Sequence, residues 1–197
     1  MLGATLDPRQ YLDRMAAELG RLDPAEVQAL SDAVMQRYDA GRFVFVVGNG
    51  GSGSNASHFT EDAGKCSLRL PDDLADTGKR RLRILSLTDN TAYITAWAND
   101  EGYDRVFVEQ LRNLASPGDL LVAISGSGNS PNILRAVEWA NAHGVGTFGL
   151  TGYSGGRLRT LAHAGLHVPL DDMGMVETLH LAAVHWVVGD LHRRISG

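Results

Sequence analysis

His58 and Asp62 stand four residues apart in "SHFTEDAGK", so on a helix they share one face, with Glu61 one step around it. An imidazole beside a carboxylate can move protons between substrate atoms or hold a divalent cation. Such a pair is also common as a surface helix contact with no chemistry. Farther along, Glu177 and His185 lie eight apart in "VETLHLAAVH", with His180 between them at a different angle. If the two segments face each other, two imidazoles and two carboxylates can meet. That set suits zinc, and it equally supplies a general acid and a general base. Spacing alone leaves both readings open.

Two turns offer a second kind of chemistry. "GNGGSGS" at 48–54 follows the apolar run "FVFVV", and "SGSGNS" at 125–130 follows "DLLVAI". Glycines let backbone approach a ligand closely, serine hydroxyls donate, and a following helix presents unpaired N–H groups with the positive end of its dipole. Either turn alone is ordinary punctuation between a strand and a helix. Two hydroxyl-rich turns at strand ends favour a phosphorylated ligand. Neither is a sufficient nucleotide signature: the lysine of a P-loop is missing, and the glycine spacing of "GNGGSG" is weak on its own. The stretch "SLTDNTAYITAWANDEGYD" at 86–104 also follows a strand, and its amides and carboxylates suit either sugar hydroxyls or helix caps.

Strands and helices have to position these groups. "RFVFVV", "LRILSL", "DLLVAI", "VGTFGL" and "GLHVPL" are short apolar runs of the kind covered on both faces. Helical stretches alternate with them at 52–65, 89–98, 103–115, 130–143 and 155–163, the pattern of a doubly wound parallel sheet. Two helices precede the first strand within 7–41, each opening on Asp-Pro, with Asp7 and Asp23 as N-caps. The last helix is apolar almost all round, with Leu179, Leu181, Val184, Trp186, Val187, Val188 and Leu191, so it asks for a partner subunit as well as a core.

The 197 residues suit a single domain, 1–197, with the helical segment 7–41 at its start. A net charge of -5 argues against a nucleic-acid surface, and the basic run "GKRRLR" at 78–83 reads as a solvated loop. No run is long and apolar enough to span a membrane, and no leader is evident. The lone Cys66 allows no internal disulfide, which points to the cytoplasm.

"GNGGS" followed by "HF", with "ANDEGYD" and "AISGSGNSPNILRAVEWA", resembles the sugar-isomerase (SIS) domain, and within it the phosphoheptose isomerases, over nearly the whole chain. The resemblance implies a flavodoxin-like, doubly wound five-stranded parallel sheet with two N-terminal helices. It also implies a homotetramer whose active sites lie at subunit interfaces. Ser52, Ser125, Ser127 and Ser130 match the phosphate-binding serines, and Asn49 and Asn90 match residues that hold the sugar. His58, Asp62, Glu177 and His185 fall on the zinc-site positions, with Asp62 and His185 on the acid–base pair. The implied reaction takes sedoheptulose 7-phosphate to an aldose heptose 7-phosphate through an enediol. Asp62 then serves as base, with Glu61 in reserve, and His185 as acid.

Three positions depart from the family pattern: Asp62 where glutamate is common, Glu177 where glutamine is common, and Gly126 in place of a threonine. They mark a divergent subgroup. The rival reading is a non-catalytic SIS module that binds a phosphosugar or another protein, such as a replication initiator. It would have no need of four converging ionisable groups.

Overall fold

The structure is a computed structural model that describes residues 5–65 and 80–196; Cys66 and the first part of the basic run at 78–83 lie outside them. Helices α1 (Pro8–Leu19) and α2 (Pro24–Ala40) come first, capped by Asp7 and Asp23 as their Asp-Pro starts predict. Strand β1 (Phe43–Gly48), α3 (Gly50–Lys65) and β2 (Arg83–Ser86) follow. Next are α4 (Thr91–Asp100), one 3-10 turn at Tyr103–Arg105, α5 (Val108–Leu114) and β3 (Leu120–Ser125). The chain closes with α6 (Pro131–Ala142), β4 (Gly146–Gly152), the short α7 (Leu158–Leu161), β5 (Ala164–Val168) and α8 (Met173–Ser196).

All five strands pair in parallel in the order β2-β1-β3-β4-β5, the flavodoxin-like winding. Strand alternation sorts the core into two layers. Val44, Val46, Leu120, Val122 and Ile124 face α2, α3 and α8, where Leu30, Val34, Phe59, Val184 and Val187 pack. Phe45, Val47, Leu121 and Ala123 face the other way, onto Phe107, Leu111, Ile133, Val137 and Leu158.

Three expectations need adjusting. The helix expected over 103–115 is a 3-10 turn and then α5, and that expected over 155–163 shrinks to α7. The run "LRILSL" is not covered on both faces: β2 is an edge strand, and Leu85 is 41% exposed. Within this one chain α8 already buries Leu179, Val184, Val187 and Leu191, while Trp186 stays 45% exposed.

His180, between Glu177 and His185 on α8, belongs to the core. Its Nε2 lies 3.2 Å from the carbonyl oxygen of Thr151, and burial pushes its pKa down to about 4. The unfolded chain takes up this proton near pH 6.5, whereas the folded chain resists it until about pH 4. Stability therefore falls as pH drops through that window, by up to roughly 3 kcal/mol from this group. Thermal unfolding at pH 7 and pH 4.5 should show a smaller gap between the two in His180→Leu than in wild type. An unchanged gap would reject the assignment.

Candidate active site

The strand order reverses between β1 and β3, and ligands of such sheets bind outside the carboxyl ends of the strands at that point. A cavity of about 230 Å³ opens there, lined by both hydroxyl-rich turns: Asn49 to Ser52 from one, Ser125 to Ser127 and Ser130 from the other. It is smaller than the ~300–1,000 Å³ of a drug-sized pocket, a size suited to a phosphate and a few carbons. Helix α3 starts within the first turn, so its free N–H groups lie at the cavity. Ser130 occupies the N-cap of α6 without making a capping bond, and its hydroxyl lies 3.4 Å from that of Ser125. Four serine hydroxyls therefore converge where two helices begin.

About two and three helical turns past Ser52 in α3, His58 and Asp62 face α8. His58 Nε2 is 3.2 Å and His185 Nδ1 is 3.7 Å from Asp62 Oδ2, and the two rings meet edge-on at 4.9 Å. One ligand atom from each of the three residues lies within 4.8 Å of the others. His58 Nε2 is shut off from solvent with no hydrogen-bond partner, because its short contact with Asp62 lacks hydrogen-bond geometry. A buried, unpaired imidazole nitrogen beside a carboxylate and a second imidazole fits a divalent cation, and this N,N,O donor set suits zinc. The same group fits proton transfer, since Asp62 and His185 are both partly open to solvent.

Glu177 is not in this group. Its carboxylate lies in the serine-lined cavity against Gly51, where a Cβ would come within 2.2 Å of Oε2. Eight residues of helix separate it from His185 by about 12 Å along the axis, and its carboxylate is turned to the glycine turn rather than to Asp62. Glu61 turns outward to Lys65 at 2.7 Å, and that hydrogen bond lowers its pKa, making it a weaker base. Asn90 caps α4, its Oδ1 accepting from the Tyr93 N–H at 3.2 Å, so this amide performs the capping role open to the 86–104 stretch. It is not among the residues lining the cavity.

Sequence reasoning missed three residues at the cavity. Met173 lines it, and a Cβ on Gly126 would stand 2.4 Å from the Met173 sulfur, so a thioether fills the space beside Gly126. Asn132 and Tyr103 both hydrogen-bond the Asn49 side chain. Met173 could have been suspected from its place just ahead of Glu177. The other two carry no local signal.

The SIS domain family model matches residues 10–152. A probable phosphoheptose isomerase of Thermoplasma acidophilum is 33% identical over 182 residues, covering 92% of this chain and 96% of the relative. A phosphoheptose isomerase of Geobacter sp. is 37% identical over 187 residues, covering 94% and 92%. The solved structure of a phosphoheptose isomerase from Francisella tularensis superposes with a TM-score of 0.79 at 30% identity, covering 92% of this chain and 91% of that one.

Proposed function

Because the chain belongs to the phosphoheptose isomerase branch of the SIS-domain family and is a sugar-phosphate isomerase, we propose that it interconverts ketose and aldose phosphates through an enediol, with sedoheptulose 7-phosphate as substrate. The observation that carries this reading is the continuity of two sites. A hydroxyl-lined cavity lies at the start of α3, and an Asp–His pair 3.7 Å apart lies about three turns along the same helix.

In this reading the phosphate is held by Ser52, Ser125, Ser127 and Ser130 and by the helix N-termini, so its binding energy fixes the reacting carbons. Asp62 removes a proton from the carbon beside the carbonyl, and the C–H electron pair becomes the enediol double bond. His185 gives a proton to the carbonyl oxygen. Protonation of the former carbonyl carbon, with loss of the hydroxyl proton from the carbon first deprotonated, moves the carbonyl there and completes the exchange. His58, Asp62 and His185 would hold a zinc ion, which stabilises negative charge on the substrate oxygens when bound. Asn49 donates to the sugar. Glu177 adds an acceptor-only group to the cavity, selecting a substrate that turns a hydroxyl towards it.

We further propose a homo-oligomer, a tetramer, working in the cytoplasm, consistent with a chain of one cysteine. Trp186 stands over an apolar groove with Leu19, Leu22, Pro24 and Val27, a face that a second copy would cover. Among the described residues no helix is long and apolar enough to cross a membrane.

Purified protein should convert sedoheptulose 7-phosphate to an aldose phosphate and carry a divalent metal. Its mass by light scattering should exceed the 21.2 kDa of one chain. Absence of turnover on ketose 7-, 6- and 5-phosphates would overturn the isomerase reading and favour a binding module. A metal-free active enzyme would remove the zinc, and a monomer would remove the assembly.

A further inference from the structure

Asn49 follows β1 directly and lines the cavity, but its side chain is not free to turn. Its Nδ2 donates to Asn132 Oδ1 at 2.9 Å, and Asn132 Nδ2 donates back to Asn49 Oδ1 at 2.9 Å. A primary amide looks nearly the same either way round, so this closed pair alone would not fix which end is oxygen. One further bond does, and it fixes both amides through the pair. The backbone N–H of Ile133 donates to Asn132 Oδ1 at 3.0 Å, and a backbone N–H can only donate. The Tyr103 hydroxyl donates to Asn49 Oδ1 at 3.1 Å. Polarity thus runs from the start of α6 through Asn132 to Asn49.

The count of bonds follows. Asn49 Oδ1 accepts from two donors and has no lone pair left, while Nδ2 has used one of its two protons. One N–H remains. We infer that Asn132 and Tyr103 are positioning residues of this site: they hold the Asn49 amide with its oxygen saturated, so that it meets the substrate solely as a one-proton donor to an oxygen acceptor. The sugar-phosphate reading above supplies the identity of that acceptor, a carbonyl, alkoxide or phosphoryl oxygen.

The surrounding structure supports the two residues in this role. Asn132 is buried and sits on the first turn of α6, so its bonds clip one hydroxyl-rich turn to the other. Tyr103 reaches Asn49 from the 3-10 turn Tyr103–Arg105, which an ion pair between Asp104 and Arg135 of α6 at 2.7 Å ties down. The Tyr103 side of the network is open, the residue being 55% exposed, so deleting its hydroxyl leaves the core untouched.

Two measurements on the full-length protein test the inference. In a 1H–15N correlation spectrum, the Asn49 side-chain NH2 should appear as a resolved, slowly exchanging pair. Tyr103→Phe should shift that pair and leave backbone signals away from residues 49 and 103 in place. By calorimetry, Tyr103→Phe should weaken sedoheptulose 7-phosphate binding about 3- to 10-fold, and Asn132→Asp, which turns a donor into an acceptor, by about 10-fold or more. In an Asn49→Ala background, Tyr103→Phe should have no further effect, since it acts through the amide. Equal losses in both backgrounds, or an Asn49 pair averaged as in free solvent, would overturn the inference. If the wild-type protein binds no sugar phosphate, the substrate reading falls, and the amide spectrum still decides whether Asn49 is held.

Discussion

Asp62→Asn should lower kcat by about 10²–10⁴-fold with little change in KM, the loss expected when a positioned general base is removed. The substitution keeps the size and planarity of the side chain but leaves it unable to accept the proton. Asp62 Oδ2 lies 3.2 Å from His58 Nε2 and 3.7 Å from His185 Nδ1. Glu61 is adjacent in sequence yet held outward by Lys65, so Glu61→Gln should leave kcat within about threefold of wild type. Metal analysis of the same Asp62→Asn protein separates two roles. Turnover lost with metal retained marks the base; turnover and metal lost together mark the ligand. Wild-type kcat in Asp62→Asn would remove the residue from the mechanism and return His58–Asp62 to an ordinary helical pair.

Why this pair was legible beforehand, and Glu177 less so, comes down to helix geometry. Residues four apart share a face whatever the tertiary structure, so His58 and Asp62 had to be neighbours once α3 formed. Glu177 and His185 are on one helix, yet their eight-residue separation carries them to different places: His185 to Asp62, Glu177 to the glycine turn. The five strands were equally legible, because each is an apolar run and alternation with helices leaves few ways to wind a parallel sheet. Short elements were not. The segment after Gly102 carries helix-forming residues, but its first turn is drawn against α6 by the Asp104–Arg135 pair, and only α5 continues as regular helix. Asn132 and Tyr103 are 83 and 54 positions from Asn49, a distance over which one sequence has no periodicity to read.

The second hydroxyl-rich turn should fail altogether in Gly128→Ala. Gly128 has φ +65°, a left-handed conformation that costs an L-residue roughly 1–2 kcal/mol. That cost alone would be tolerable. The larger obstacle is a Cβ 1.9 Å from the carbonyl oxygen of Gly155, a backbone atom that no rotamer change can move aside. Relief requires the 125–130 turn and the 152–157 turn to separate. Their separation would break the bond from the Leu158 N–H to the Gly128 carbonyl at 2.9 Å and loosen Leu158, which is fully buried beneath them. The Gly128 N–H also bonds the Ser125 carbonyl at 2.9 Å, so the same shift displaces the serines lining the cavity. Strain, clash and a disturbed core residue together should destabilise the fold by about 3 kcal/mol or more. Sugar-phosphate binding should be lost with it. Ser127→Ala is the matched control: its side chain is exposed in the same turn, so it should weaken binding while the urea midpoint stays at the wild-type value. A Gly128→Ala protein that keeps the wild-type midpoint would mean the two turns are free to part, and that packing against 152–157 does not shape the phosphate loop.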